Sequence, residues 1–384
     1  MKRYQKINFL KYKIKNNIPI FACFFNPSIW DNIRGSNIKN KTDPLKEYLE
    51  KDNRFHVINC YNQKDIEKYD KRVDLIIPPM QYSMFQNTKN NRGVRYFYHL
   101  RKLIINIRYS LGWHKIIQRK LYDQAYMNFV DSPDISQKPF DVYTGHPWAE
   151  FLNKPKESFK NPWKSTDKKH ILICPHHTIN DCFTMYGNNS NFLICFSDFL
   201  NVIDKYKNEV EFVMRPHPNL YYYKENVNNY RKLASDIFNQ ICECLQKLEE
   251  KIPLVCEDDY IDWFKYSDAM IHDCGSFRCE YLYVNKPVCY MANKINMDPK
   301  IWSQMGKDAI NCHELIWPKK GESLDKFIRN VLDGKDEKKN LREQYYEKYC
   351  SPNSYPNHKT PCENIVNAIL GQEEYKNLIH EFKL

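Results

Sequence analysis

The sequence predicts an α/β protein with two doubly wound domains, each a parallel sheet covered by helices. Short apolar runs of strand length alternate with longer helical segments, which is typical of parallel sheets. The 384 residues exceed what one core usually organises. Apolar residues form 42% of the chain, which is enough for globular cores.

Changes in amino-acid composition along the chain predict the domain boundaries. We predict a first domain over residues 1–152 and a second over residues 170–350. Residues 153–169, rich in lysine, serine and proline, form the linker. Residues 351–384 contain a loop with proline and asparagine, followed by a helix.

The first half contains three runs with the length and composition of buried strands. A helix separates the first two runs, and a long segment broken near Gly112 follows the third with a helical pattern. The predicted strands are Pro19–Phe25, Phe55–Asn59 and Val73–Ile77, and the predicted helices are Asp43–Lys51 and Leu100–Met127.

The second half repeats this alternation. Its predicted strands are His170–Cys174, Val210–Met214, Ala269–His272 and Val288–Met291, and its longest predicted helices are Phe192–Tyr206 and Asn229–Leu248.

Polar clusters follow three of the second-half strands directly. They read Pro-His-His-Thr from Pro175, Arg-Pro-His-Pro from Arg215 and Asp-Cys-Gly-Ser from Asp273. In a parallel sheet the carboxyl ends of the strands lie at one edge, where ligands bind. We therefore expect these side chains to converge: His176, His177, Arg215, His217, Asp273 and Ser276.

The turn from Asp273 opens a predicted helix over Phe277–Tyr283. Backbone N–H groups at the start of a helix bind phosphate, which favours a diphosphate at Gly275 and Ser276. Cys274 is a weak donor, so a phosphate contact there depends on backbone N–H groups. Glu280 is predicted to reach the ribose hydroxyls of the same nucleotide.

The remaining polar residues suit transfer chemistry. Arg215 can bind phosphate oxygens in a bidentate manner. A histidine can accept a proton from a hydroxyl near neutral pH, with His217 the first candidate and His176 or His177 the second. Asp273 either orients His217 or caps the following helix.

Cysteine usage argues against disulfides and zinc. The 14 cysteines form no C-x-x-C pair, and most lie in apolar runs, as reduced thiols of a cytosolic protein do. The chemistry requires no metal, and no ligand-spaced pair is present. Neither a signal peptide nor an apolar run of membrane-spanning length occurs.

Net charge is +11 and is unevenly distributed. Between Leu75 and Tyr122 there is no acidic residue, whereas basic residues alternate with aromatic and aliphatic ones. Anionic lipid headgroups or a polyanionic acceptor, a nucleic acid, or an ordinary solvated helix face would each explain this pattern. No nucleic-acid-binding motif accompanies the charge. We therefore predict an anionic membrane surface as partner of residues 89–120, and no nucleic acid.

The segment from Asp273 through Glu280 to the Asn-Lys-Pro-Val run at Asn285 resembles the donor-nucleotide segment of GT-B transferases, which have two Rossmann-like domains. It is also similar to that of nonhydrolysing sugar-nucleotide epimerases. The closest resemblance is to the bacterial CDP-glycerol glycerophosphotransferase-like family of teichoic-acid, capsule and O-antigen clusters, whose Arg/Lys-x-His-Pro motif carries a histidine implicated in transfer. This chain has Cys274 where serine is common, and it lacks the H-G-T-P motif of many members.

The resemblance implies two Rossmann-like domains facing a central cleft, with C-terminal helices crossing back to the first. It implies a cytoplasmic enzyme on the inner face of the bacterial membrane that transfers a polyol phosphate, foremost glycerol phosphate, to a hydroxyl of a cell-surface glycan or its lipid-linked precursor. The donor is CDP-glycerol or a related CDP-polyol, with no cofactor. Strand-end loops and the resemblance place Asn26, Ser28 and His146 on the acceptor side. The alternatives are a GT-B glycosyltransferase using a nucleotide sugar, and a noncatalytic protein that binds a membrane surface or polyanion.

Overall fold

A computed structural model describes residues 3–25, 41–60, 65, 68–69, 72–77, 103–108, 111–112, 125–135, 141–179, 190–221, 235–256 and 259–371. These residues form two compact units. The first unit extends to Asn153 and includes the segment that starts at Ser351, and the second is Lys154–Cys350.

Each unit contains one sheet of parallel strands. The six strands of the first sheet are β1 Ile20–Phe25, β2 Phe55–Cys60, β3 Leu75–Ile77, β4 Leu103–Ile107, β5 Met127–Val130 and β6 Asp141–Tyr143. The five strands of the second are β7 Lys169–Cys174, β8 Val210–Met214, β9 Ala269–His272, β10 Val288–Met291 and β11 Glu314–Ile316.

Helices alternate with these strands. They are α1 Arg3–Lys15, α2 Asp43–Lys51, α3 Trp148–Leu152, α4 Phe192–Tyr206, α5 Pro218–Tyr221, α6 Ser235–Glu249, α7 Tyr260–Tyr266, α8 Phe277–Glu280, α9 Gln304–Asn311, α10 Asp325–Leu332, α11 Lys339–Tyr345 and α12 Pro361–Ile369. A 3₁₀ turn, Tyr281–Val284, continues α8, and a π-helical turn, Tyr346–Cys350, continues α11.

Both sheets have the same doubly wound strand order. The first is β2-β1-β3-β4-β5-β6 and the second is β8-β7-β9-β10-β11. In each, the order reverses between the first and third strands of the unit. Ligands of doubly wound proteins bind beyond the carboxyl ends of the strands at this reversal. The reversal falls between β7 and β9 in the second unit, and between β1 and β3 in the first.

The last described helix completes the core of the first unit. Cys362, Ile365, Val366 and Ile369 of α12 are buried against strand residues of the first sheet. Their spacing puts them on one helix face, which explains why this amphipathic helix packs there. The core of the second unit forms in the same way, with the apolar face of α4 covering β7 and β8.

The predicted α/β class with two doubly wound sheets is confirmed, but the predicted helix Leu100–Met127 is wrong. Its described residues include β4 and the first residue of β5. All five residues of β4 are buried, so its sequence lacks the alternation that marks a half-exposed strand.

A buried polar ladder joins β4, β5 and β6. The Asn106 side chain donates to Asn128 Oδ1 at 3.1 Å, and Asn128 donates to Asp141 Oδ1 at 3.0 Å. These residues occupy matching positions of neighbouring strands. The ladder provides hydrogen-bond partners for polar groups that would be costly to bury alone.

Among the described residues, every helix is too short or too polar to cross a lipid bilayer.

Candidate functional site

The site lies at the carboxyl ends of three adjacent strands. β7 is paired with β8 on one side and β9 on the other. The pairing of β7 with β8 continues past their ends, because the Arg215 amide donates to Ile173 O at 2.7 Å and the His217 amide to Pro175 O at 3.0 Å. The loops after β7 and β8 therefore leave the sheet together.

Three imidazole rings gather at this edge. The ring centroid of His217 lies 4.1 Å from that of His177 and 5.1 Å from that of His176. The centroids of His176 and His177 are 4.4 Å apart. All three side chains are half-buried. The sequence predicted that these histidines would converge, and the structure brings them together.

Asp273 connects β9 to this cluster through backbone groups. Its carboxylate accepts from the His176 amide and from the Asn191 amide, each at 2.6 Å. It thereby holds the loop after β7 to the residue that precedes α4. Burial raises the pKa of Asp273 to about 7, although these N–H donors favour the ionised form. Asp273 thus organises two loops, whereas the sequence suggested that it orients His217 or caps α8.

Burial also affects the histidines themselves. It lowers the pKa of His176 to about 4. The pKa of His177 is held well below its usual range by burial, and further by the adjacent His176. His176 Nδ1 is 2.7 Å from Thr178 Oγ1, a contact that fixes the orientation of the ring. At neutral pH both rings are therefore uncharged.

Arg215 occupies the first position after β8. It is 6% exposed, and one terminal nitrogen donates to Cys256 O at 3.3 Å. The guanidinium is thus anchored close to the backbone beside the histidine loop. Contact with a donor phosphate stays a prediction for this residue.

The turn after β9 presents small residues to the same edge. Gly275 and Ser276 are half-buried, whereas Cys274 is buried and its thiol donates to Cys174 O at 3.3 Å. Ser276 is the N-cap residue of α8, and its side chain caps no helix N–H. Helix α8 is four residues long, so the predicted helix is shorter and continues as a 3₁₀ turn. The thiol points to the protein interior, as expected if only backbone groups face a ligand.

Glu280 lies inside the second unit. Its residue surface is fully buried, and its Oε2 accepts from the Tyr260 hydroxyl at 2.5 Å. Tyr260 in turn packs against Phe264 and Phe277. The predicted ribose contact of Glu280 stays a prediction, and the contact that the structure shows is with Tyr260.

The lysine of the Asn-Lys-Pro-Val run has a structural role. Lys286 Nζ donates to Lys265 O at 2.8 Å and to Ser267 O, which belong to the end of α7 and the residue after it. Asn285 precedes it with φ 50° and ends the 3₁₀ turn in the left-handed region. The run therefore joins α7 to β10 by capping carbonyl groups.

The acceptor-side predictions concern the first unit. Asn26 and Ser28 lie outside the described residues, as do eight of the nine basic residues between Leu75 and Tyr122. The ninth, Arg108, is 1% exposed and lies with Nη1 3.7 Å from Asp131 Oδ1. Arg108 therefore does not belong to a basic surface, which corrects its inclusion in the interfacial segment.

His146 is also enclosed in the first unit. Its Nε2 is 2.5 Å from Arg108 O, and its Nδ1 accepts from the Trp148 amide at 3.0 Å. These contacts identify Nε2 as the protonated nitrogen, because a carbonyl oxygen only accepts. Burial lowers the pKa of His146 to about 3. Both ring nitrogens hold backbone groups, which favours a structural role for this residue.

Sequence reasoning missed three residues that position the site. Thr178 contacts His176, Tyr260 contacts Glu280, and Asn191 is the N-cap residue of α4 whose amide Asp273 binds. Asn191 carried a signal, since asparagine before an apolar helical run is a typical N-cap. The contact between Thr178 and His176 lies within the Pro-His-His-Thr turn, two residues apart, whereas Tyr260 and Glu280 are brought together through the fold, which no local pattern indicates.

The sequence matches no protein-family model and no curated protein. Solved structures do match. A protein from Listeria monocytogenes described as a UDP-N-acetylglucosamine 2-epimerase aligns over 95% of this chain and all of its own, with 14% identity and a TM-score of 0.57. The wall teichoic acid polymerase TagF aligns over 98% of this chain and 96% of the solved chain, with 13% identity and a TM-score of 0.55.

A third neighbour is S. aureus MnaA in complex with UDP. It aligns over 94% of this chain and 98% of its own, with 16% identity and a TM-score of 0.50. At these identities the likeness is evidence of shared architecture. Together with the two doubly wound sheets, it shows that the chain has a fold of the GT-B type.

Proposed function

We propose that this protein is a transferase that moves a polyol phosphate, foremost glycerol phosphate from CDP-glycerol, to a hydroxyl of a cell-surface glycan or its lipid-linked precursor. The observation that carries the proposal is the meeting of His176, His177 and His217 at the carboxyl ends of β7 and β8, next to the reversal between β7 and β9. Arg215 and the small turn at Gly275 lie at the same edge.

The proposed reaction needs one proton acceptor and one anion-binding group. The acceptor hydroxyl loses its proton to a histidine, and its oxygen forms a bond to the phosphorus that carries the glycerol. The P–O bond to CMP breaks, and CMP leaves with the electron pair. Arg215 and the N–H groups of Gly275 and Ser276 would stabilise the charge that develops on the phosphate oxygens.

We assign the base to His217. The pKa of His176 is lowered to about 4 and that of His177 is lowered further below its usual range, so both are weak proton acceptors at neutral pH. His217 lies between a proline-terminated strand and α5, and its carbonyl accepts from the amides of Leu220 and Tyr221. Its backbone is therefore held while its ring remains half-buried.

Structural neighbours support both this donor and an alternative. TagF has been solved in histidine-substituted variants and after a soak with CDPG, which supports a CDP-activated polyol. MnaA has been solved with UDP, which supports the second candidate, an enzyme acting on a nucleotide sugar. Both donors present a pyrophosphate, so the turn at Gly275 serves either.

Nucleotide preference separates the candidates. Thermal unfolding and nucleotide release would be measured with CDP-glycerol, CDP-ribitol and several UDP-sugars. Stabilisation by CDP-glycerol with release of CMP is the expected result. A preference for UDP-sugars would favour the nucleotide-sugar enzyme instead. Absence of any shift would favour a noncatalytic membrane-surface or polyanion-binding protein.

The proposed acceptor places the protein on the inner face of the cytoplasmic membrane. In the described part of the first unit, α1 supports this location. It exposes Phe9 and Tyr12 at 46% and 56%, with the exposed Lys11 and Lys15 alongside. The helix contains no acidic residue. Exposed aromatic rings among lysines suit the headgroup region of an anionic bilayer.

Vesicle sedimentation tests this location. Binding to vesicles containing phosphatidylglycerol should exceed binding to purely zwitterionic vesicles and should fall with salt. Replacing Phe9 and Tyr12 by serine should weaken it, as should replacing Arg101 and Lys102 by glutamate. Equal sedimentation of wild type and both variants would overturn the membrane assignment. Arg108 is left intact, because reversing a buried charge would unfold the unit.

A further inference from the structure

We propose that His176, His177 and His217 form a binding site for one Zn²⁺ ion, with a fourth coordination position open to solvent. Each residue offers a ring nitrogen, and these ligand atoms all lie within 4.8 Å of one another. They form the one group of three metal-ligating side chains at such distances among the described residues. The sequence contains no pair of ligands at the spacing typical of zinc sites. The spacing rule missed this cluster, because its ligands come from two different strand ends.

The distances suit a zinc site after small side-chain rotations. Zn–N bonds measure about 2.0–2.1 Å, so two nitrogens on one tetrahedral ion lie roughly 3.3 Å apart. The nitrogens therefore need to approach by at most about 1.5 Å. The rings are half-buried on loops that follow β7 and β8, so His177 and His217 can rotate toward His176, whose ring Thr178 holds.

Charged groups on both sides of the cluster act in opposite directions on a cation. Asp273, whose carboxylate accepts from the His176 amide, brings negative charge close to the ion. Arg215, two residues before His217, opposes the ion with its positive charge.

Thr178 acts as a positioning residue in this site. Its Oγ1 lies 2.7 Å from His176 Nδ1 and its amide donates to the same nitrogen at 3.4 Å, so Thr178 occupies Nδ1 and leaves Nε2 as the ligand atom. Imidazoles without thiolates suit zinc, copper and nickel, and an open fourth position is typical of reactive zinc sites. If His217 is the base of the proposed transfer, the bound ion occupies its lone pair and inhibits the enzyme.

Calorimetric titration of chelator-treated protein with Zn²⁺ tests the site. Wild type should bind one ion per chain at this site. His217→Ala and His176→Ala should each weaken that binding by about 100-fold or more, and Thr178→Val by about 10-fold. His56→Ala is the matched control, because His56 is exposed on β2 and should leave the affinity unchanged.

Cobalt distinguishes this site from the cysteines. Co²⁺ bound to imidazoles gives visible d–d bands without the near-ultraviolet charge transfer that thiolates produce. Loss of these bands in His217→Ala is expected. Unchanged Zn²⁺ affinity in both histidine variants, or a thiolate spectrum that persists in them, would overturn the proposal.

Two controls keep the result interpretable. Circular dichroism and urea unfolding check that each variant is folded. If His217→Ala does not fold, His217→Gln replaces it, because glutamine is close to histidine in side-chain volume. Nucleotide binding is measured in metal-free protein, so a failure of the proposed donor specificity leaves the zinc result intact.

Discussion

The two units share one strand order, yet the three-histidine cluster of the second unit and His146 of the first lie in different surroundings. In the second unit, His176, His177 and His217 are half-buried beside the reversal between β7 and β9. In the first unit, His146 is sealed beyond β6, three strands from the β1–β3 reversal, and its ring holds Arg108 O and the Trp148 amide.

The histidine cluster of the second unit is therefore a candidate site. His146, with Arg108 O and the Trp148 amide that it holds, forms a structural junction. Polar residues at strand ends are expected in both units, because the backbone ends there. The three histidines beside the reversal keep some exposure, whereas Asp273, at the same edge, is buried and holds backbone groups. His146, away from the reversal, is covered and holds backbone groups as well. For these four histidines, position relative to the reversal separates partly exposed rings from a covered one.

The largest expected effect is a loss of activity when the histidine cluster of the second unit is changed. His217→Ala should lower the turnover of the transferase by about 10²–10⁴-fold, because it removes the proposed base. Its stability should change little, since the ring is half-buried. Steady-state assays with CDP-glycerol and urea unfolding check both parts. Activity near that of wild type would remove His217 from the base role.

His146→Ala should show the opposite profile. We expect the free energy of unfolding to fall by about 2–4 kcal/mol, because the change opens a cavity and leaves Arg108 O and the Trp148 amide without the ring. Nucleotide affinity of the folded protein should stay close to wild type. A loss of activity without a loss of stability would show that the junction is catalytic and would break the comparison.

Gly145→Ala tests how tightly this junction is packed. Gly145 has φ +77°, and an added Cβ would lie 2.9 Å from Tyr355 Cδ1. Gly334→Ala is the matched control, because φ is +68° and nothing lies within 4 Å of its Cβ position. The control should lose about 1 kcal/mol from backbone strain, and Gly145→Ala at least about 1 kcal/mol more. Equal losses in thermal or urea unfolding would mean that Tyr355 moves aside freely.

The smallest expected effect is that of Asp273→Asn, which should change how the free energy of unfolding depends on pH. The folded pKa of about 7 lies above the unfolded value near 4, so the native protein binds the extra proton between them. The contribution of Asp273 is therefore full at low pH and is lost as pH rises from about 4 to 7. Urea unfolding across this range should show wild type losing stability relative to the variant. Parallel curves would indicate a normal pKa for Asp273.

Much of this architecture follows from local patterns. Strands β8, β9 and β10 and helix α4 lie where the sequence predicts them, because each is a short apolar run or a strongly amphipathic segment. Strand β4 was not predicted, because a strand buried on both faces lacks the alternation of apolar and polar residues that marks a half-exposed strand. Strand β11, with three residues, is too short to carry a pattern.

The site was predictable as a set of residues, but not in its contacts. Strand β7 lies between β8 and β9 because of the crossover connections between the strands. No single segment of the sequence determines this strand order. The backbone bonds of Asp273 and the burial of His146 and Arg108 depend on elements far apart in the chain. Local patterns predicted exposure for Arg108 because charge is usually solvated.

The insertion of α12 into the first core has a consequence for biosynthesis. The apolar surface that α12 covers stays open on the nascent chain until all of Lys154–Cys350 has been translated, which takes on the order of tens of seconds at about 5–20 residues per second. The second unit is contiguous and can fold during this interval. The first unit must wait with an incomplete core, so it is the part of the nascent polypeptide that most needs protection by chaperones.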